Sequence, residues 1–158
     1  MEKMLFSGVQ SNSEVALIAI KGIKNQPGIA AKVFGAIAEE KINVELILQS
    51  IGRAGTKDIS FTVSRDEADQ AVKIIEANKA RIGCNSISCN KEVVKVSIVG
   101  AGLMSNCGVA AKMFEALYEA GINIQMINTS EIRVSVLLDE DDVNRAVKAI
   151  HAKFFDEA

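Results

Sequence analysis

The chain has 158 residues, 49% of them hydrophobic, with 18 Lys+Arg against 20 Asp+Glu and a net charge of −2. That length suits one ordinary domain or two small ones packed together, and the near-neutral balance excludes function through a basic stripe on nucleic acid or an anionic membrane. One His, no Trp and three Cys without a Cys-x-x-Cys spacing leave little for a catalytic triad or a metal site; the odd cysteine count predicts reduced thiols in a cytoplasm, and no long apolar stretch follows Met1-Glu2-Lys3-Met4, so no signal peptide is expected.

In chain order, residues 4–9 form a short apolar segment, and residues 15–20 a β-branched run of strand length. Pro27 suits the first turn of a helix and Asn25 its cap; Ala30, Val33, Phe34 and Ile37 then fall on one helical stripe. Residues 43–48 and 59–63 read as a strand pair around the turn-rich stretch 52–57. A helix over 67–78 and a strand over 82–89 complete the order βαββαβ. The same order restarts with a strand over 94–99 and a helix carrying Ala110, Met113, Phe114 and Leu117. Strands over 123–128 and 132–138 and a helix over 141–153 follow.

This restart is a true repeat. Gly28-Ile-Ala-Ala-Lys-Val-Phe34 returns as Gly108-Val-Ala-Ala-Lys-Met-Phe114, and between 28–50 and 108–130 eleven of the twenty-three aligned positions are identical. The second copy runs out of chain before its closing strand, while the first segment, 4–10, has no counterpart. The expectation is an α+β protein of two ferredoxin-like βαββαβ units packed together, with antiparallel sheets and helices on one face. The boundaries are 14–91 and 92–158, the latter completed by the N-terminal strand 4–10, which crosses over.

Several features resemble chemistry without the residues to perform it. Gly100-Ala-Gly102 follows a strand as a dinucleotide fingerprint does, but Ser105 stands where that motif wants a third Gly or an Ala. An oxidoreductase built on this turn is the rival that failure to bind a nicotinamide dinucleotide would remove. Cys107 precedes a predicted helix with no basic partner assignable, His151 would have no companion ligand, and the acidic run 139–142 suits a solvated helix start. A βαββαβ sheet that binds RNA needs exposed aromatics in basic surroundings, and the chain has six Phe and one Tyr. What remains is the Gly-containing turn before each first helix. There free backbone N–H groups and a partial positive charge suit a carboxylate, and Gly permits close approach. An Ile-Asn pair recurs about fifteen residues later in each copy, and Asn offers both a donor and an acceptor to a zwitterionic amino acid.

The tandem repeat, Asn25-Gln-Pro-Gly-Ile-Ala30, Gln49, Thr56-Lys-Asp-Ile-Ser-Phe-Thr62, Val96-Ser-Ile-Val-Gly-Ala-Gly102 and Asn128-Thr-Ser-Glu-Ile-Arg-Val-Ser135 together resemble the regulatory part of aspartate kinase, which consists of two ACT domains. The resemblance implies feedback by an end-product amino acid, L-threonine, L-lysine or both, with no other cofactor. It implies a homodimer through ACT–ACT pairing and an aspartate kinase catalytic subunit or domain as partner, with neither nucleic acid nor membrane involved. The implied effector site is Asn25, Gly28, Ile29, Ala30 and Gln49 of one chain facing Asn123 and Ile124 of its partner. A second, pseudo-equivalent site would involve Gly108, Val109, Ser130 and Glu131, with Glu45 as an acidic partner for a lysine side chain. The kinase's own Lys-Phe-Gly-Gly-type phosphate turn is missing, so no aspartate-phosphorylating activity is expected. The alternative is a stand-alone amino-acid-sensing ACT module serving another enzyme.

Overall fold

A computed structural model describes residues 6–51, 55–100, 106–130 and 133–156. The chain divides into two compact units, 14–91 and 92–156, the second including residues 6–13.

In the 14–91 unit the strands β2 (Val15–Lys24), β3 (Ile47–Ile51), β4 (Thr56–Ser64) and β5 (Ser86–Asn90) form an antiparallel sheet in the order β3-β4-β2-β5. Alternation decides its faces. Ala16, Ile18, Ile20, Ile59, Phe61 and Val63 point to the helix side, where they meet Val33 and Ile37 of α1 (Ile29–Glu39) and Ala71 and Ile75 of α2 (Ala68–Ala77). Phe61 is fully buried and receives Phe34 edge-on, with ring centroids 5.4 Å apart. Burying side chains of this size contributes about 2–3 kcal/mol each. β2 carries a bulge in which Lys21 and Gly22 both oppose Asp58. Gly22 lies at φ 72°, a Cβ there would fall 2.3 Å from Asn85, and its N–H donates to Asp58 Oδ1 at 2.9 Å.

The second unit repeats this plan. β6 (Val93–Gly100), β7 (Met126–Thr129) and β8 (Arg133–Asp139) stand as β7-β8-β6, under α4 (Asn106–Glu119) and α5 (Val143–His151). After α5 the chain continues as a wider helical turn, Ala152–Asp156, and contributes no strand. The outer edge of β6 is instead paired by β1 (Phe6–Asn12), antiparallel, with Val9 opposite Ile98. Val94, Val96, Ile98, Met113, Leu117, Val134, Val136, Ile150 and Phe154 make the core. Lys153 closes it from outside, its ammonium bonding Glu115 and Glu119 on α4 at 2.9 and 2.7 Å. That contact holds the Glu115 carboxyl below its usual range.

Four expectations shift. The third strand of the first copy begins at Ile47, not at 43, because Glu45 and Leu46 share one partner, Thr62: Glu45 N–H donates to its carbonyl and Leu46 N–H to its hydroxyl. β7 likewise begins at Met126. The closing strand of the first copy begins at Ser86, not at 82. Ile82 belongs instead to a short helix, α3 (Lys79–Ile82), whose buried Ile82 precedes the stop at Gly83, φ 73°. Asn25 does not cap α1; Gly28 holds the N-cap position, and no side chain bonds the helix start.

Both first helices end in the same Schellman motif. Lys41 N–H donates to Ala38 and Ile42 N–H to Ile37; at the other helix Gly121 N–H donates to Tyr118 and Ile122 N–H to Leu117. The left-handed residue is Lys41 (φ 59°) in one copy and Gly121 (φ 72°) in the other. An L side chain at such a position costs about 1–2 kcal/mol, from which the greater chain entropy of Gly subtracts. Lys41→Gly should therefore raise stability by about 0.5–1 kcal/mol and Gly121→Ala lower it by about 1 kcal/mol, read from urea midpoints at unchanged slope. Deleting residues 1–13 should raise amide exchange in β6 and β8 far more than in β2 and β4; equal loss would refute a role for β1 confined to the second unit.

Candidate effector site

Gln26 to Ile29 form a tight turn closed by the Ile29 N–H on the Gln26 carbonyl. Pro27 occupies its second position and Gly28, at φ 88° and ψ −9°, its third, which are the demands of a type II turn. The turn feeds directly into α1. Ile29 is buried in the core and Ala30 packs against it, whereas Asn25, Gln26, Pro27 and Gly28 are exposed. With no capping side chain, the first-turn N–H groups beyond Ile29 have no partner within the helix. They and the positive end of the helix macrodipole form a place for a carboxylate. An added Cβ at Gly28 meets nothing within 4 Å, so the approach is open.

The sheet fixes the turn's neighbours. Lys24 pairs with Thr56, and Asn25 N–H donates to Gly55 at 2.9 Å, which brings the turn to the start of β4. Ile51, at the end of β3, pairs with Lys57 beside it. Gln49, two residues back, pairs with Ile59 and so lies on the helix side, exposed, at the same end of the unit as the turn. The fold thus sets Asn25, Gly28, Ile29 and Ala30 in one turn and helix start, with Gln49 on the edge strand beyond β4. Glu45 does not join them: it is exposed at the opposite end of this edge strand, about 20 Å of extended chain from Ile51.

Asn123 and Ile124 belong to the other unit, in the connection between α4 and β7. Asn123 is exposed, and Ile124 is half-buried against that unit's core. Glu45 holds the corresponding connection in the first unit. The second turn is not a copy of the first. α4 begins at Asn106, so Gly108 and the buried Val109 lie inside the helix and not at an N-cap glycine. Cys107 replaces Pro27 and retains the N–H that lets the helix start earlier. Ser130 is exposed and closes the β7–β8 connection, its N–H donating to Arg133 at 2.8 Å. Glu131 lies outside the described residues, as do positions 101–105 of the Gly-x-Gly turn.

The other sequence candidates take structural places. The acidic run 139–142 ends β8 and forms the 3-10 turn ahead of α5, and His151 ends that helix. Among the described residues no group of three His, Cys, Asp or Glu could hold a metal ion, and no helix is long and apolar enough to cross a membrane. Cys84 is buried, which pushes its thiol pKa up and away from reactivity. Sequence reasoning missed the Asp58–Gly22 contact that sets the end of β2 two residues before the turn. Its signal was a glycine inside an otherwise β-branched run. Gly28→Ala should cost about 1–2 kcal/mol of stability through backbone strain alone, and it should weaken any ligand of the turn while leaving the fold, read by circular dichroism, unchanged.

The ACT domain model matches residues 18–78 and 96–154, one match in each unit. Aspartate kinase from Pseudomonas fluorescens is 42% identical over 154 residues, 98% of this chain but 37% of that protein, and aspartokinase from Mycolicibacterium smegmatis is 42% identical over 156 residues with the same coverage. The chain therefore spans little more than a third of the curated relatives it matches. The crystal structure of the regulatory subunit of aspartate kinase from Thermus thermophilus, ligand-free form, superimposes with a TM-score of 0.89 at 41% identity, over 95% of this chain and 99% of that one. These 158 residues belong to the ACT-domain family and correspond to the regulatory, not the catalytic, part of aspartate kinase.

Proposed function

We propose that this regulatory part binds an end-product amino acid, L-threonine, L-lysine or both, and thereby feeds back on an aspartate kinase catalytic subunit or domain. The observation that carries the reading is the uncapped N-terminus of α1 behind the Pro27–Gly28 turn. The effector carboxylate takes the free N–H groups of the first helical turn, and the Gln49 amide takes a polar group. Asn123 and Ile124 of a partner chain cover the ligand from the other side. The pseudo-equivalent site, with Gly108, Val109, Ser130 and Glu131 facing Glu45 of the partner, differs because its helix starts earlier; the first site is the stronger. The two ACT domains are residues 14–91 and residues 92–158, the second completed by β1, which runs Phe6–Asn12 where the sequence pattern set the strand at 4–10.

A homodimer through ACT–ACT pairing follows from the sheet edges. Each sheet has two, but the large apolar side chains left exposed on strands cluster on β3 and β7: Ile47, Leu48, Ile51 and Ile127. An unpaired edge with exposed apolar residues is a template for another strand. Pairing β3 of one chain with β7 of another would bring the Pro27–Gly28 turn to Asn123 and Ile124. Regulation is then a coupling free energy: the effector favours one arrangement between chains and so biases the attached kinase.

Thermal unfolding with lysine, threonine, both together and alanine as control tests the reading. Ligand at about 100 times its dissociation constant stabilises by roughly 2.7 kcal/mol, a rise of roughly 5–10 °C for a protein of this size. A shift with lysine or threonine that Gly28→Ala diminishes is expected. No shift, or an equal one with alanine, would overturn it. An effector shift without capture of an aspartate kinase catalytic chain would favour a stand-alone sensor serving another enzyme.

A further inference from the structure

We propose that the outer face of α1 in the 14–91 unit docks a second copy of this chain, the two α1 helices crossing antiparallel about a two-fold axis at Gly35 and Ala36. A groove of about 390 Å³ runs between α1 and the segment formed by α2 and α3. Gly35, Ala36 and Ala77 line it with small residues. Lys32, Glu39, Glu40 and Arg81 add four charges to the same lining. All four are exposed, and among the described residues none of them has an ion pair or a side-chain hydrogen bond. The sequence of α1 explains this. Helical neighbours stand at i±3 and i±4, and for Lys32 and Glu39 the positions between them are Gly35 and Ala36, which offer no charge.

The sister unit supplies an internal control. Lys112, Glu115 and Glu119 are the repeat's counterparts of Lys32, Gly35 and Glu39. Lys153 is the counterpart of Asn78, because the 3-10 turns ahead of them begin at Arg65 and Glu140 and the helices at Ala68 and Val143. There the chain closes its own helix pair. Lys153 bonds Glu115 and Glu119, and the Lys112 ammonium lies over the Phe154 ring, 5.2 Å from its centroid. In the first unit Asn78 instead turns back on its own helix, its amide donating to the Ile74 carbonyl at 2.8 Å. Glu39 thus keeps an acid of that clamp without its cation. Gly35 points the same way. Glycine inside a helix is less favourable than alanine, yet Gly35 is exposed in ordinary helix and an added Cβ would meet nothing within 4 Å. Nothing inside the chain calls for it, whereas close approach of another helix does.

The charge pattern selects the occupant. Two cations and two carboxylates sum to zero, so neither an anionic nor a cationic partner matches the whole groove. Lys32 and Glu39 stand two helical turns apart, about 10 Å along the axis, too far for the ammonium and carboxylate of one amino acid to reach both. An antiparallel copy of α1 does match. Reversing the helix about the midpoint of Gly35 and Ala36 sets Lys32 of each copy against Glu39 of the other, the self-complementarity that an isologous contact requires. One pair of short helices buries less than the roughly 1,200 Å² of a stable specific interface. The contact is therefore weak by itself and gains from any other that already holds two chains together. It does not depend on the binding of an amino acid at the Pro27–Gly28 turn.

Disulfide trapping and sedimentation velocity on the full chain test the contact. In a Cys89→Ser, Cys107→Ser background, Gly35→Cys should cross-link to its own counterpart, because the two-fold sets residue 35 close to itself. Lys32→Cys and Glu39→Cys should cross-link slowly when alone and rapidly when the two variants are mixed. Sedimentation over a concentration series should show Lys32→Glu and Glu39→Lys each weakening one association step at least tenfold. Both reversals in one chain should restore it, and salt should weaken it in the unaltered chain. Ile51→Lys, which would disrupt pairing at the β3 edge, should leave the Gly35→Cys cross-link in place, so that failure of edge pairing and failure of this contact read differently. All these positions are exposed, and circular dichroism checks that each variant folds. Association indifferent to both single reversals, a double variant no better than the singles, or Lys32→Cys cross-linking to itself as fast as to Glu39→Cys would overturn the proposal.

Discussion

A strand buried in a sheet must have both edges hydrogen-bonded, and in this chain the need falls on β6. Its inner edge is met by β8, which follows in sequence, but among the described residues the second repeat supplies no strand of its own for the outer edge. An unpaired row of N–H and C=O groups beside a core of Val94, Val96 and Ile98 would cost about 1–3 kcal/mol for each group shielded from water. β1 meets that need from the other end of the chain. Both units then possess a four-stranded sheet of the same order, and both helix pairs have a complete floor to cover.

On that shared floor the two copies diverge where chemistry is at stake. Pro27 denies α1 its earlier turn, so the helix begins at Ile29 behind a left-handed glycine; Cys107 imposes no such limit, and α4 begins at Asn106. One substitution thus converts an exposed row of backbone donors into an ordinary helical turn. The sheet face away from the helices diverges too, with Val15 and Leu17 in the first unit where the second has Lys95 and Ser97. Duplication kept the core positions and released the faces.

The order of elements, the repeat and the core stripes were legible because each rests on periodicity, and Val33, Ile37, Met113 and Leu117 are all buried where the helical spacing puts them. The turn residues of the candidate effector site were legible as Pro-Gly before an apolar stripe. Boundaries set by single hydrogen bonds were not. The shared partnership of Glu45 and Leu46 with Thr62, and the helical turn ending at Gly83, depend on contacts between residues distant in sequence or on one backbone angle.

The crossover strand also has a temporal meaning. In the 14–91 unit every strand pairing closes within one continuous stretch of chain, so that unit can assemble as soon as its own residues are available. β1 must wait, because Val9 meets Ile98 only after roughly ninety intervening residues have been made, and loop closure over such a distance is slow compared with local pairing. During synthesis β1 is thus among the last strands of these two units to find its place, and the early-folding unit grows between it and its eventual neighbour.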